Sequence, residues 1–470
     1  MQRRIASLFA GSALTVASAL GVAGATAMTA APTAQGLPVP VPLARMLTHA
    51  SFATPPTTAQ CEQQLQLACY SPAQFQRAYD LRPLYKKGDN GSGETIVIVD
   101  SYGYQFIRGE LAVFDKSFGL PAPPSFKIIQ PAGPVPAFNP KLRPQMRGWA
   151  QETSLDVEYS HAIAPGANIL LVETPVPETL GTHGFPQIVQ AENYVVKHHL
   201  GTVISQSFAA PEAGFPSAQS ILKLRSAYKN AAAHGVSVLA GTGDAGATGA
   251  KTLTPQGSAA TFFLHRAVSW PATDPLVTAL GGTQLHLDAK GNKVRPDSVW
   301  NDTKLFNSPA ASSGGRSTVF PRPPYQDGVS GAVGTSRGVP DISMSAAVNG
   351  AALVYLDSKA AGGPAGFSLI GGTSEATPEF GGIIAIADQV AGHGLGLLNP
   401  ALYKMEAAHD RGIVDVTVGT NTVAFPQGGS VHTVRGWDAV NGYDLSSGVG
   451  TIDAAQFVPE LVAAVDGSHH

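Results

Sequence analysis

Ser374 stands in a setting that suits a nucleophile. It lies in Gly371-Gly-Thr-Ser374-Glu-Ala-Thr-Pro378, after the apolar run Phe367-Ser-Leu-Ile370 and before a helix-like stretch from Glu375 to Val390. Glycines there let backbone approach a substrate, and a helix N-terminus favours negative charge developing beside it. Taken alone, the stretch reads more simply as a Gly-Thr-Ser turn capping a helix. A second serine, Ser336 in Gly334-Thr-Ser-Arg-Gly338, matches a G-x-S-x-G elbow in letters only. No apolar strand precedes it, and Val339-Pro-Asp341 follows where the elbow's helix would start.

A serine nucleophile needs a group to take its proton. Residues 149–163 read WAQETSLDVEYSHAI, which puts Glu152 and Asp156 four apart on one helix face. Like charges at that spacing cost a helix about 0.2–0.5 kcal/mol. One member relieves this by holding a proton, so the two titrate as a unit. An acidic face of this kind is ordinarily solvated. Trp149, Leu155 and Tyr159, interleaved with the acids, point instead to partial burial. A third acid, Asp244 in Gly241-Thr-Gly-Asp-Ala-Gly246, follows the apolar run Val236–Ala240. By itself it fits an Asx turn. With its carboxyl protonated it can also donate a hydrogen bond to an oxyanion.

These residues are coherent together only in acid. At about pH 4 an unperturbed His, pKa about 6.5, is protonated by roughly 300 to 1 and is a poor base. An unperturbed Glu, pKa about 4.3, is still about one-third ionised there. An Asp that donates must keep its proton, which low pH or a raised pKa allows.

The elements that must position them alternate along the chain. Strands are predicted at Thr95–Val99, Asn168–Val172, Thr202–Ser205 and Val236–Ala240. Helices are predicted over about Arg147–Ala162, Phe185–His199 and Ser217–His234. This pattern implies an α/β fold with a mostly parallel central sheet and helices on both faces. Sites in such sheets lie beyond the strands' carboxyl ends.

With 470 residues the chain has room for one large domain or two ordinary ones. Hydrophobic residues make up 44% and charged residues 13%, enough for a sizeable core under a lightly charged surface. A net charge of -3 and the lack of a long Lys/Arg run exclude a nucleic-acid binder. Residues 1–27 read as a signal peptide: Arg3 and Arg4, an apolar stretch to about Gly24, then Ala25-Thr-Ala27. Residues 28–69, Pro-, Ala- and Thr-rich at first, read as a flexible leader or short propeptide, and 70–466 as the folded domain. No later run is long enough to span a bilayer. The expected product is a secreted, extracellular monomer without a membrane partner. In an exported chain Cys61 and Cys69 are expected to pair.

From about Tyr70 onward these stretches resemble the sedolisin family of serine-carboxyl peptidases, acid proteases with a subtilisin-like fold. GGTSEATP is similar to the family's nucleophile motif, ETSLDVE to its acidic helix and GTGDAG to its oxyanion segment. Further matches are Ala164-Pro-Gly-Ala167, Ser269-Trp-Pro-Ala272, Gly281-Gly-Thr283, Ser298-Val-Trp-Asn301 and Arg337-Gly-Val-Pro-Asp341. The resemblance implies Ser374 as nucleophile, Glu152 as general base, Asp156 as its partner and Asp244 as oxyanion donor, with proteins or peptides as substrates. It also implies one structural Ca²⁺ in a C-terminal calcium-binding region. The implied ligands are the carboxylates of Asp415 and Asp438 and the carbonyls of Val416, Val434 and Gly436, where Val434 replaces a usual Gly.

Three departures stand out. The family usually carries a long folded prodomain, where this chain has the short leader. The family's Ser-x-Ser-Trp-Gly reads Ser205-Gln-Ser-Phe208-Ala209, which loses an indole N–H and any hydrogen bond it made to the carboxylates. Some relatives carry an extra Glu after the first strand, where this chain has Asp100. The expectation is an acid endopeptidase. The alternatives are tripeptidyl-peptidase action, a silent peptide-binding homologue, and a neutral triad built from Asp100 and His183.

Overall fold

A computed structural model describes residues 41–42, 45–176, 184–254 and 258–467, all within one compact unit, 37–470. The expected signal peptide and His183 lie outside the described residues.

The sheet begins with Thr95–Ser101 (β1), whose residues alternate between two cores. Ile96 and Ile98 join one, and Val97 and Val99 join the other. A strand buried on both faces reads as a continuous apolar run, which is why TIVIV carries no polar alternation. Phe126–Ile129 (β2), Asn168–Thr174 (β3) and Val203–Gln206 (β4) follow. Phe208–Pro211 (β5) leaves the sheet, while Ser237–Gly241 (β6), Thr278–Gln284 (β7) and the short Ser298–Val299 (β8) return to it. The order is β8-β7-β6-β4-β1-β3-β2, with Ile342–Ser345 (β9) also beside β7. Every pairing is parallel except β7 with β8. The expected mostly parallel sheet is therefore present.

Helices cover both faces. Ile107–Phe118 (α1) and Met146–Ile163 (α2) pack in the first core, and Phe185–Lys197 (α3) and Ser226–Ala233 (α4) in the second. A second sheet pairs Ala351–Leu356 (β10) antiparallel with Gly366–Gly371 (β11), which leads into Thr373–Ala391 (α5). Helix α5 packs against α2 and the central sheet. Gly382 allows that approach, since a Cβ there would lie 2.7 Å from Ile163 Cβ.

One predicted helix is broken. Residues 217–234 form Ala218–Leu222 and α4, separated by a turn. Arg225, in the break, pairs with buried Asp274 through Nε and Nη2 and lies 5.0 Å from the Phe320 ring centroid. That long-range anchor outweighs local helical continuity. The stretch read as leader also contributes structure: the strands Val41–Pro42 and Arg45–Phe52, the helix Thr58–Leu65 and the Cys61–Cys69 disulfide.

Candidate active site

The candidate residues fall into two sets: Ser374 and Asp244 at the start of α5, and Glu152 and Asp156 on α2, the helix packed against it. Ser374 is the second residue of α5, entered through Gly372 at φ 102°, a backbone conformation that suits glycine. Gly371 is constrained sterically, because a Cβ there would lie 2.6 Å from the Ala346 carbonyl. Pro378 lies inside α5 and has no N–H to offer the Ser374 carbonyl. The Thr377 hydroxyl donates to the Thr373 carbonyl at 2.7 Å. Ser374 Oγ has no hydrogen-bond partner among the described residues.

Asp244, just past β6, holds the start of α5. Its Oδ1 accepts from Thr373 N–H at 2.8 Å and from the Thr373 hydroxyl at 2.9 Å. Gly243 N–H donates to that same hydroxyl oxygen at 3.2 Å. Asp244 Oδ1 is thus committed as an acceptor, and a proton donated onward would sit on Oδ2. The Asx-turn reading missed this link to the residue beside Ser374.

Glu152 and Asp156 lie on α2, and both are fully buried rather than partly so. The Ser207 hydroxyl donates to Asp156 Oδ1 at 2.7 Å. The Asp156 pKa is pushed well above the usual carboxyl range by burial first, then by Asp100 and Glu152, with Ser207 opposing. Asp100, at the end of β1, takes the Thr153 hydroxyl on Oδ2 at 2.8 Å. Burial raises its pKa to about 7, Thr153 lowers it and Glu173 raises it. Glu152, Asp156 and Asp100 therefore form one buried carboxyl group in which charge on one member disfavours charge on the next.

The position of the lost indole turns into the core. Phe208 packs its ring 6.3 Å from those of Trp149 and Phe185, in the apolar core. The hydroxyl one position earlier, Ser207, supplies the hydrogen bond to the acids. Sequence reasoning missed Ser207 and Thr153; the Ser-x-Ser pattern before Phe208 was the signal for the first. Ser336 begins a strand, Ser336–Val339, paired antiparallel with Gly315–Pro321. It lacks the elbow's geometry.

The implied calcium ligands lie in the C-terminal loops. Asp415 Oδ2 accepts from Gly442 N–H at 2.8 Å, which ties one half to the turn after the other. Asp438 is bridged to Thr420, and Ala439 N–H reaches the Gly419 carbonyl at 3.0 Å. Val434 ends a hairpin strand opposite Val423. Two carboxylates and three carbonyls would make an oxygen-only donor set of the kind Ca²⁺ takes. One contact competes: Arg266 Nη2 donates to the Gly436 carbonyl at 3.4 Å.

A mostly parallel sheet, with a serine opening the helix behind it and carboxyl groups on the helix packed alongside, is the layout of a subtilisin-like serine peptidase. No family model matches the chain. Individual relatives do. The chain is 30% identical over 391 residues to kumamolisin of Bacillus sp. (strain MN-32), covering 81% of this chain and 62% of the relative. It is 30% identical over 271 residues to sedolisin of Pseudomonas sp. (strain 101), covering 57% and 42%. It is 30% identical over 317 residues to tripeptidyl-peptidase 1 of Homo sapiens, covering 62% and 49%. Among solved structures, Pseudomonas sedolisin, a serine-carboxyl proteinase complexed with two molecules of pseudo-iodotyrostatin, superposes with a TM-score of 0.68 at 25% identity. That match covers 86% of this chain and 100% of the other. The chain is thus similar to members of the sedolisin family of serine-carboxyl peptidases. It spans less than two thirds of the length of these curated relatives.

Proposed function

We propose that this chain is a secreted, acid-active endopeptidase in which carboxyl groups serve Ser374. The observation that carries this reading is the buried group of Glu152 and Asp156, on the helix packed against α5, with Asp100 at the end of β1. Ser374 Oγ attacks the scissile carbonyl and Glu152 takes its proton. Asp156, held by Ser207, orients Glu152 and shares that proton. Asp244, with its proton on Oδ2, stabilises the tetrahedral oxyanion together with backbone N–H groups at the start of α5. Glu152 then returns the proton to the leaving amine, and water hydrolyses the acyl-enzyme.

The disulfide supports export, since such bonds persist in oxidising compartments. Among the described residues no helix is long and apolar enough to cross a membrane. Asp415 and Asp438, with the carbonyls of Val416, Val434 and Gly436, would hold one Ca²⁺ that braces the C-terminal loops. A chelator that leaves the melting temperature unchanged would remove calcium from this reading.

The test of function is cleavage of an unfolded protein from about pH 2.5 to 9, beside Ser374→Ala. Activity confined to the acid side and abolished in the variant is expected. A maximum above about pH 7 would overturn the carboxyl mechanism in favour of a histidine base. No turnover at any pH would leave a peptide-binding homologue.

A further inference from the structure

Asp100 has a partner across the sheet. In the parallel pairing of β1 with β3, Asp100 lies opposite Glu173. Paired strands run about 4.7–4.9 Å apart. Residues two apart on a strand share a face, so Asp100 follows Ile96 and Ile98, and Glu173 follows Ile169 and Leu171. Those four apolar residues belong to the first core, on the side of the sheet that α1 and α2 cover. The two carboxyl groups therefore lie side by side beneath α2, where the Thr153 hydroxyl reaches Asp100. Asp156 feels Glu152 and Asp100, and Asp100 feels Glu173. The four acids form a row with the proposed base at one end and Glu173 at the other.

The fold is built around Glu173, which is buried at the end of β3. The turn after β1 closes over it through Gly103, at φ 59°, where a Cβ would lie 2.3 Å from Glu173 Cγ. Glu173 Oε2 accepts from the amide of exposed Gln130, just past β2, at 2.7 Å. Burial pushes the Glu173 pKa up, and Gln130 and the Tyr104 N–H oppose that rise. Asp100 has a single donor of this kind, the Thr153 hydroxyl on Oδ2, and no hydrogen bond of good geometry reaches its Oδ1. Two carboxyl groups this close do not readily ionise together, and donors favour the charged form. Charge therefore settles first on Glu173, and the proton stays on Asp100.

Other titratable groups on the neighbouring elements are engaged elsewhere. In the turn after β1, the Tyr104 phenol donates to Asp357 Oδ1 and the Tyr102 hydroxyl accepts from Gln145. On α1, Glu110 accepts from the Ser154 hydroxyl and the Asp357 N–H. On α2, Asp156 and Glu152 lie beyond Asp100. Gln130, on the β2 side, carries no charge.

We propose that Glu173 is a positioning residue for the peptidase reaction: its charge keeps the proton on Asp100, so that the negative charge the chemistry needs stays with Glu152 and Asp156. This deepens the peptidase reading above and rests on it. Glu173 acts through Asp100 and not on the serine or the substrate. A charged Asp100 would disfavour charge on Asp156, and Glu173 prevents that from the far end of the row.

The test uses the full chain and one peptide substrate, with kcat and KM measured from about pH 2.5 to 8. The variants are the near-isosteric Glu173→Gln, Asp100→Asn and the two together, with folding checked by circular dichroism. Glu173→Gln removes the charge beside Asp100, which then loses its proton at lower pH. A charged Asp100 raises the pH at which Glu152 and Asp156 give up their shared proton. The alkaline limb of kcat should therefore move up, by less than about one pH unit, with KM little changed. In the Asp100→Asn background, Glu173→Gln should leave the limb in place, because the group it acts through is gone. Gln130→Ala, at the surface, should give a smaller upward shift, and it reads the same effect should Glu173→Gln fail to fold. An even loss of kcat across pH, with the limb fixed, would overturn the proposal by showing a packing role. Equal shifts in both backgrounds would overturn it too, since Glu173 would then act without Asp100. Wild-type protein that cleaves nothing in acid, or cleaves equally as Ser374→Ala, would sink the peptidase reading and this proposal with it. That control comes before the variants, so the two failures stay distinct.

Discussion

Two acid pairs at the same spacing sit on neighbouring helices: Glu152 and Asp156 on α2, Glu375 and Glu379 on α5. All four side chains are fully buried. Asp156 accepts a hydroxyl from Ser207, and its neighbour Asp100 accepts one from Thr153. These contacts lie at the carboxyl ends of the parallel strands, beside the β5 edge. The second pair lies against the core interior. No hydrogen bond of good geometry reaches the Glu375 or Glu379 oxygens among the described residues. Burial pushes both pKa values well up; Ser345 opposes this at Glu375, and Tyr79 opposes it at Glu379, where Glu375 adds to it. Spacing alone therefore does not make a proton relay. Hydroxyls lie near both pairs, so it is the place beside the substrate path that separates a working pair from one that must simply stay neutral.

The sharpest way to break this contrast is to remove one charge from each pair. Glu152→Gln should lower kcat/KM by about 10³-fold or more, because it removes the base while keeping the shape. Glu379→Gln should stay within about threefold of wild type at acid pH, where the native carboxyl is already neutral. Measuring both on one peptide substrate decides the matter. Equal losses would mean that the second pair also serves the chemistry.

A smaller effect concerns stability. The acids of the second pair ionise in the unfolded chain above about pH 4 but stay neutral in the fold up to their raised pKa values. Asp388, raised to about 7 by burial, and Glu110, raised to about 8 by burial, behave likewise. Over that span the folded state holds more protons than the unfolded one, so stability falls as pH rises. Stability from these groups is complete below about pH 4 and is lost as pH climbs through about 7 to 8 and beyond. A double variant, Glu375→Gln with Glu379→Gln, should melt near the wild-type temperature at about pH 4 and above it at about pH 7. Thermal melts across pH read this directly. Parallel curves would show that the pair does not control the alkaline loss.

The contrast also explains what could be read from the letters. Helix α2 was legible within a residue at each end, and so was the Glu152–Asp156 face, because periodicity is local. Its full burial was not, because Thr153, Ser154 and Ser160 look like solvent-facing residues. Thr153 and Ser154 are instead matched by distant acids, Asp100 and Glu110. Glu375 and Glu379 drew no notice because nothing in a helix start distinguishes a buried acid from a surface one. The break near Arg225 depends on Asp274, and the leader strands depend on β5 and β11, partners far along the chain. The Asp244 clamp on Thr373 was hidden for the same reason.

The finest test separates Ser207 from mere packing. Its hydroxyl donates to Asp156 Oδ1 and favours the charged form, opposing the rise caused by burial, Asp100 and Glu152. Ser207→Ala removes that donor, so the Asp156 pKa should rise further. If Asp156 works by sharing a proton with Glu152, the alkaline limb of the activity profile should move up by less than about one pH unit, with a several-fold loss in kcat and little change in KM. A purely structural role would lower activity evenly across pH and leave the limb in place. Ser207→Thr, which restores a hydroxyl, should return the limb toward its wild-type position. Glu379→Gln should leave that limb where it is, because its oxygens touch no part of the Ser207–Asp156 contact. If both variants moved the limb alike, the two acid pairs would form a single titrating unit through the packed helices, and the distinction between them would fail at its finest point.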